Sequence, residues 1–373
     1  MRGGLFILMI IAVVVVWNHP VRPSRQPVAQ PEPPPQLKPL IVPIPVARPH
    51  PAAAQQQSPV ATPKPATMDV SGPTPAEVLA NSLRAASYPR SAEGWLEVQI
   101  ELARRGFSSG SIDGVKGRQS EDAIRAFQEN EGLSVTGQFD ASTRSALTLS
   151  APPFAKYILA AEDLARLQPL STTWLGKSQQ TVLDYETAAE LVAERFHAHP
   201  NLIRQLNPNV DWAAPAPNTL LTVPAVERVA VRSKVALIHI RLADRILEAN
   251  DENGRILVHF PVSIARHVDK RPVGELHVVV IAPNPNYTFD PDVFPESAEA
   301  QELGRKLILP PGPNNPVGVA WIGLDRPGYG IHGTPIPEQV GRTESHGCFR
   351  LANWDALTLL DLVSTGLTVV VEP

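Results

Sequence analysis

The chain of 373 residues is short of three things: cysteine, charge of one sign and long apolar runs. It has one cysteine, which excludes an intrachain disulfide framework and any cysteine-rich zinc site. The formal net charge is only −4, so no basic face is expected and no nucleic-acid partner with it. The longest apolar run, Leu5 to Trp17, is thirteen residues long. A membrane-spanning helix usually needs about 20, and a signal-peptide core fewer. The apolar fraction of 43% is nevertheless enough for packed cores and excludes wholesale disorder. At roughly 100–200 residues per domain, the length implies more than one domain.

Proline is in excess. There are 40, and 17 of them lie between Pro20 and Pro75 in a segment padded with alanine and glutamine. Such a stretch has little to bury and favours extended conformations, so residues 19–90 read as a semi-rigid linker. Residues 1–18 ahead of it read as a signal peptide or an uncleaved membrane anchor, because Asn18, His19 and Pro20 offer no small-residue cleavage site. Either way the remainder is expected at the periplasmic face of the cell envelope, with the inner membrane as a partner. An oxidising compartment is a poor place for an idle thiol.

Helical periodicity begins after Pro89, with Leu96, Ile100 and Leu102 on one face. Asp113-Gly114 marks a turn, Ser120 is placed as an N-cap, and Ala123, Ile124 and Phe127 form the next apolar face. Asp140 is expected to cap a third short helix. The run from Ser111 to Ser120, then Ala123-Ile124, Phe127-Gln128, Thr136-Gly137 and Thr143, resembles a peptidoglycan-binding domain over 91–150. That resemblance implies glycan strands of the wall as a partner.

Residues 170–227 form a second, weaker pattern. Thr187-x-x-Glu190 is a capping box, Pro200 suits a first helical position, and Leu220-Leu221-Thr222-Val223-Pro224 is strand-like. Helix, helix and strand in this order resemble a degenerate LysM-like module, though its opening strand is poorly matched. His197 and His199 flank a helix end and read as capping or surface groups.

From residue 228 to 373 the texture is β. Strands are expected at Val235–Ile240, Leu276–Ile281, Val317–Ile322 and Leu367–Val371, with a hairpin near Asn253-Gly254 and a helix from Asn353 to Leu362. Pro283–Pro316 reads as a long surface loop walling a site. The lone cysteine, Cys348, lies in Ser345-His346-Gly347-Cys348-Phe349-Arg350, with His332 upstream in His332-Gly333-Thr334. A thiol, histidines and clustered glycines are what nucleophilic acyl transfer needs. An imidazole can take the thiol proton and return it to a leaving amine, Gly347 would allow a tight turn aiming amides at an oxyanion, and Arg350 suits a substrate carboxylate. Buried small hydrophobe is the ordinary role of one cysteine, but the histidines and glycines around this one argue against it.

The segment HGTPIPEQVGRTESHGCFRL, His332 to Leu351, resembles the L,D-transpeptidase (YkuD-like) family over roughly residues 230–372. Asn284-Pro285-x-Tyr287 fits the same family. The resemblance implies Cys348 as nucleophile, His332 as base and the Gly333 carbonyl as its orienter. Ser345, His346 and Gly347 would shape the pocket, and Arg350, Tyr287 and Thr334 would meet substrate. It also implies peptidoglycan stem peptides as substrate, no metal and no cofactor, and acylation of Cys348 by carbapenems. The acyl acceptor stays open: a second stem peptide gives a transpeptidase, water an L,D-carboxypeptidase, a lipoprotein lysine an attaching enzyme. A non-catalytic wall-anchoring protein is the alternative from another class. The expected fold class is multi-domain α+β: a small three-helix module, a LysM-like module and a mainly-β catalytic domain.

Overall fold

In the computed structural model, short helices joined by glycine turns come first and strands later. The structure describes residues 87–373 apart from 228, 230, 232, 295–296 and 344–346. The apolar run at 5–17, the proline-rich segment, Ser345 and His346 therefore lie outside the described residues. Among the described residues no helix is long and apolar enough to cross a membrane.

The first module pairs β1 (Arg90–Ser91) with a later strand and carries α1 (Trp95–Arg104), α2 (Arg118–Asn130) and α3 (Ala141–Ala146) before β2 (Thr148–Leu149) closes it. Leu102, Ile124, Phe127 and Leu147 fill its core. Two buried glutamines hold the turns. Gln128 Oε1 accepts from the amides of Thr136 and Gly137, both at 2.8 Å, which ties the end of α2 to the turn before α3. Asp140 caps α3 by accepting from the Thr143 amide at 2.9 Å. Ser120 is not a cap: α2 begins at Arg118 after Gly117, and Ser120 is buried in its first turn, where its hydroxyl accepts from Gln99 Nε2 at 3.1 Å.

The second module opens on β3 (Phe154–Leu159), continues through α4 (Ala161–Ala165), α5 (Trp174–Gln179), α6 (Ala188–Arg195) and α7 (Pro200–Leu206), and ends on β4 (Thr219–Pro224). β3 and β4 pair antiparallel along their whole length. The opening strand thus lies upstream of residue 170, where the sequence showed no glycine turn to betray it. Thr187 and Glu190 form the reciprocal capping box on α6. His199 caps α7 through Nδ1, accepting from the Asn201 amide at 3.1 Å. His197 is half-buried, and its ring stacks on Trp354 at 5.3 Å.

The remaining strands are β5 (Leu237–Arg241), β6 (Ile246–Asn250), β7 (Ile256–Pro261), β8 (Gly274–Pro283), β9 (Tyr287–Phe289), β10 (Leu307–Leu309), β11 (Ala320–Leu324), β12 (Gly330–His332), β13 (Phe349–Arg350) and β14 (Thr368–Glu372). Eight of them form one sheet in the order β13-β12-β11-β8-β14-β5-β6-β7. The β12–β13 and β14–β5 pairs are parallel. Ile238, Val258, Ile322, Ile331, Phe349 and Val369 form its buried face, with the helix α9 (Asn353–Leu362) packed on it through Ala356 and Leu359. The overall class is α+β with a mainly-β C-terminal part.

Pro283–Pro316 is not a loop. β9 and β10 pair there as a hairpin, α8 (Ala298–Leu303) lies between them, and Phe289, Leu307 and Leu309 bury a small core together with Leu183 of the second module. The prolines flank these elements rather than interrupting them, so composition alone hid them.

Candidate active site

The site sits on the face of the sheet that turns away from the main core. β12 and β13 run parallel with Ile331 opposite Phe349 and His332 opposite Arg350. Alternation sends Ile331 and Phe349 inward, and both are buried in the core. His332 and Arg350 therefore share the other face, and Cys348, one residue before Phe349, lies beside the Gly328–Gly330 segment, its thiol 3.4 Å from the Gly328 carbonyl. β13 is held from its other side by Ser263, which exchanges both backbone bonds with Arg350 at 2.9 Å.

His332 is buried and locked. Its Nδ1 lies 2.6 Å from the Gly333 carbonyl, which can only accept, so Nδ1 carries the proton and Nε2 the lone pair. Burial pushes the imidazole down to about 4, overriding the Gly333 bond that favours its charged form. Burial also pushes the Cys348 thiol up; the Gly330 amide and the Arg350 charge pull against it. Both shifts favour the neutral forms of the imidazole and the thiol. Burial lowers Arg350 from its ordinary value, and Cys348 and Tyr287 oppose that through their charges. Tyr287, at the start of β9, is pushed up to about 12 by burial first and then by Cys348. Cys348, Arg350 and Tyr287 thus share one electrostatic neighbourhood, with Arg350 also acting on His332.

The other expected site residues fall differently. Thr334 is buried with its amide donating to Asn353 Oδ1 at 3.0 Å, and its hydroxyl accepts from the Ile336 amide within the same turn. Among the described residues a Cβ at Gly347 would meet only the Tyr329 ring, at an ordinary 3.7 Å. At Gly333, by contrast, a Cβ would collide with Asn353 Oδ1. Ser345 and His346 lie outside the described residues, and no cluster of three metal-ligating side chains occurs among the described ones.

Two neighbours of His332 escaped the sequence reading. Trp321 pairs with His332 across β11 and β12 and stacks on it at 5.6 Å and 22°. Gly323 and Gly330, opposite one another, leave room for its indole, since a Cβ on either would meet it. Alternation about the buried Ile322 could have placed Trp321 on this face. Asn353, fully buried, had no such signal.

Residues 236–371 match the family described as the L,D-transpeptidase catalytic domain, and 91–147 match a putative peptidoglycan binding domain. The putative L,D-transpeptidase YkuD of Bacillus licheniformis is 24% identical over 185 residues, 49% of this chain and 93% of that protein. The putative L,D-transpeptidase YqjB of Bacillus subtilis is 33% identical over 117 residues, 30% of this chain and 57% of that protein. Among solved structures, the L,D-transpeptidase fragment from Xylanimonas cellulosilytica aligns at 15% identity and a TM-score of 0.33, covering 77% of this chain and 100% of that one. The chain carries an L,D-transpeptidase catalytic domain of the YkuD family, with a peptidoglycan-binding domain ahead of it.

Proposed function

We propose that the protein is an L,D-transpeptidase acting on peptidoglycan stem tetrapeptides through a thioester on Cys348. The observation that carries this reading is the His332 imidazole, tautomerically fixed by Gly333 and paired in register with Arg350, two residues beyond Cys348. Cys348 Sγ attacks the carbonyl of the third stem residue as its proton passes to His332 Nε2. The tetrahedral intermediate collapses, the imidazolium protonates the departing amine, and D-alanine leaves. An amine on a second stem then attacks the thioester, loses a proton to His332, and Cys348 regains its thiol. Neutral resting partners suit this sequence, because the proton moves only as the S–C bond forms. Arg350 is the proposed clamp for the substrate carboxylate, with Tyr287 beside it and Ser345, His346 and Gly347 around the oxyanion.

The domain reading is part of the proposal. Residues 91–150 would hold wall glycan near the site and raise its effective concentration. The antiparallel β3–β4 pair around the successive helices α6 and α7 supports a LysM-like origin, with α4 and α5 as additions between β3 and α6. Residues 1–18 are proposed to tether the protein to the inner membrane, with 19–90 as the spacer, which puts the site in the periplasm.

Incubation with disaccharide tetrapeptide, followed by mass spectrometry of the intact protein, tests the chemistry. Wild type should release D-alanine and carry the acyl mass on Cys348, and Cys348→Ala should do neither. Equal behaviour of the two proteins would leave a silent wall-anchoring module. With two stem peptides present, a cross-linked product identifies the transpeptidase and a tripeptide the carboxypeptidase.

A further inference from the structure

The turn that fixes His332 is itself fixed from outside the catalytic domain. Asn353, the first residue of α9, spends all four of its hydrogen-bonding positions. Its Oδ1 accepts from the amides of Thr334 at 3.0 Å and Val319 at 3.4 Å. Its Nδ2 donates to the Pro313 carbonyl at 3.1 Å and to Glu194 Oε2 at 2.9 Å. Glu194 belongs to α6 of the second module, 159 residues away in sequence, and is steadied by Tyr185, whose hydroxyl donates to Oε1 at 2.8 Å.

The consequence for His332 is direct. Gly333, whose carbonyl accepts the Nδ1–H hydrogen bond, packs against Asn353 Oδ1 so closely that it has no room for a side chain, and Thr334 is bonded to the same oxygen. The orientation of the Asn353 amide thus sets the plane of the Gly333 peptide. That orientation is set in turn by two acceptors facing Nδ2, one a carbonyl and one the carboxylate of Glu194. Losing the carboxylate leaves one buried N–H without a partner and half of the discrimination between the two amide ends.

We propose that Glu194 is a positioning residue for His332, so that the second module completes the catalytic geometry rather than only hanging from it. This rests on the transpeptidase reading of the site. It assigns the module a role that glycan binding does not require.

The test uses the full chain carrying Glu194→Leu, Glu194→Asp or Glu194→Gln, read by thermal melting, by D-alanine release and by iodoacetamide alkylation of Cys348. Glu194→Leu should cut kcat at least tenfold with KM within twofold, and slow alkylation at least fivefold. Glu194→Gln keeps an acceptor for Asn353 and should stay within threefold of wild type. Glu194→Asp draws the carboxylate back by one methylene and should lose at least threefold in kcat, which keeps the test alive if the leucine variant does not fold. Folded Leu or Asp variants with kcat within twofold of wild type, or a loss confined to KM, would overturn the assignment. So would a Gln variant as damaged as the Leu variant. Alkylation needs no substrate, so a wild type that releases no D-alanine defeats the transpeptidase reading alone.

Discussion

Residues 91–150 lean on the far edge of the sheet, whereas residues 154–226 reach under the site. The first module lays Phe107 beside His259 of the edge strand β7 in a parallel bridge, the His259 amide donating to the Gly106 carbonyl and the Ser108 amide to the His259 carbonyl, both at 2.9 Å. It touches the segment between His332 and Cys348 through Gln119, which donates to the Val340 carbonyl at 2.7 Å. The second module supplies Glu194 to Asn353 and Trp174 to the hairpin that carries Tyr287. Both modules meet at the first turn of α9, where three consecutive residues face three different neighbours. Asn353 bonds Glu194, Trp354 stacks on His197, and Asp355 accepts from the Ser108 hydroxyl at 3.0 Å. The difference teaches that two modules of similar size can be coupled to one site very unequally, one by docking and one by sharing its core.

Trp174 gives the largest expected effect. Its indole stacks on Phe289 at 4.5 Å and lies against Phe294 at 5.4 Å and Tyr287 at 6.4 Å. The small core of β9, β10 and α8 is therefore completed by a residue of the second module. Trp174→Ala removes most of one wall, at a cost of about 3 kcal/mol to the local packing. We expect kcat/KM to fall more than tenfold and hydrogen exchange across 284–316 to quicken, with the first module unaffected. Unchanged exchange in that stretch would break the claim that the second module shares this core.

Gln99 sharpens the comparison from the other side. It is buried, accepts from the amides of Asp113 at 3.1 Å and Gly114 at 2.7 Å, and donates to Ser120. Gln99→Ala leaves those amides without their acceptor, which costs about 2 kcal/mol. The melting temperature should drop while turnover of a soluble tetrapeptide by folded protein stays within twofold. A matching loss of turnover would mean that the first module also shapes the site.

Much of this was legible beforehand, for reasons specific to each residue. Asp140, the Thr187–Glu190 box and the Asn353–Leu362 helix follow local rules, and local rules are written in adjacent residues. The motif around Cys348 and His332 needed no tertiary information either, since the resemblance is carried by short runs. What escaped was long-range. Trp174 and Glu194 act on residues more than a hundred positions away, and nothing near them in sequence marks the partner. Pro283–Pro316 misled because proline flags turns more loudly than a small apolar core announces itself. Ser120 was misplaced because Gly117 starts the helix earlier, turning a cap residue into a buried acceptor for Gln99.

Asp355 offers the smallest effect and the cleanest sign. Burial pushes its carboxyl up to about 8, with only the Ser108 hydroxyl pulling it back down. In the unfolded chain an aspartate ionises near ~3.9. Between these values the folded protein holds the extra proton, so stability falls as pH rises through that window. His197, pushed down to about 3 by burial, has the opposite slope, but that contribution is complete once the pH exceeds its unfolded value near ~6.5. Glu194, raised to about 7 by burial, acts in the same direction as Asp355 and flattens above its own value. From about pH 6.5 to 8 the Asp355 slope therefore dominates, worth about 1–2 kcal/mol. Denaturant melts across this range should show wild type losing that much and Asp355→Asn losing about half as much or less, because the amide has no proton to give up. An equal slope in both proteins would mean that Asp355 is already ionised in the fold. The seam between the first module and α9 would then hold a charge-assisted bond from the Ser108 hydroxyl, and the contrast between the two modules would narrow to Glu194 and Trp174 alone.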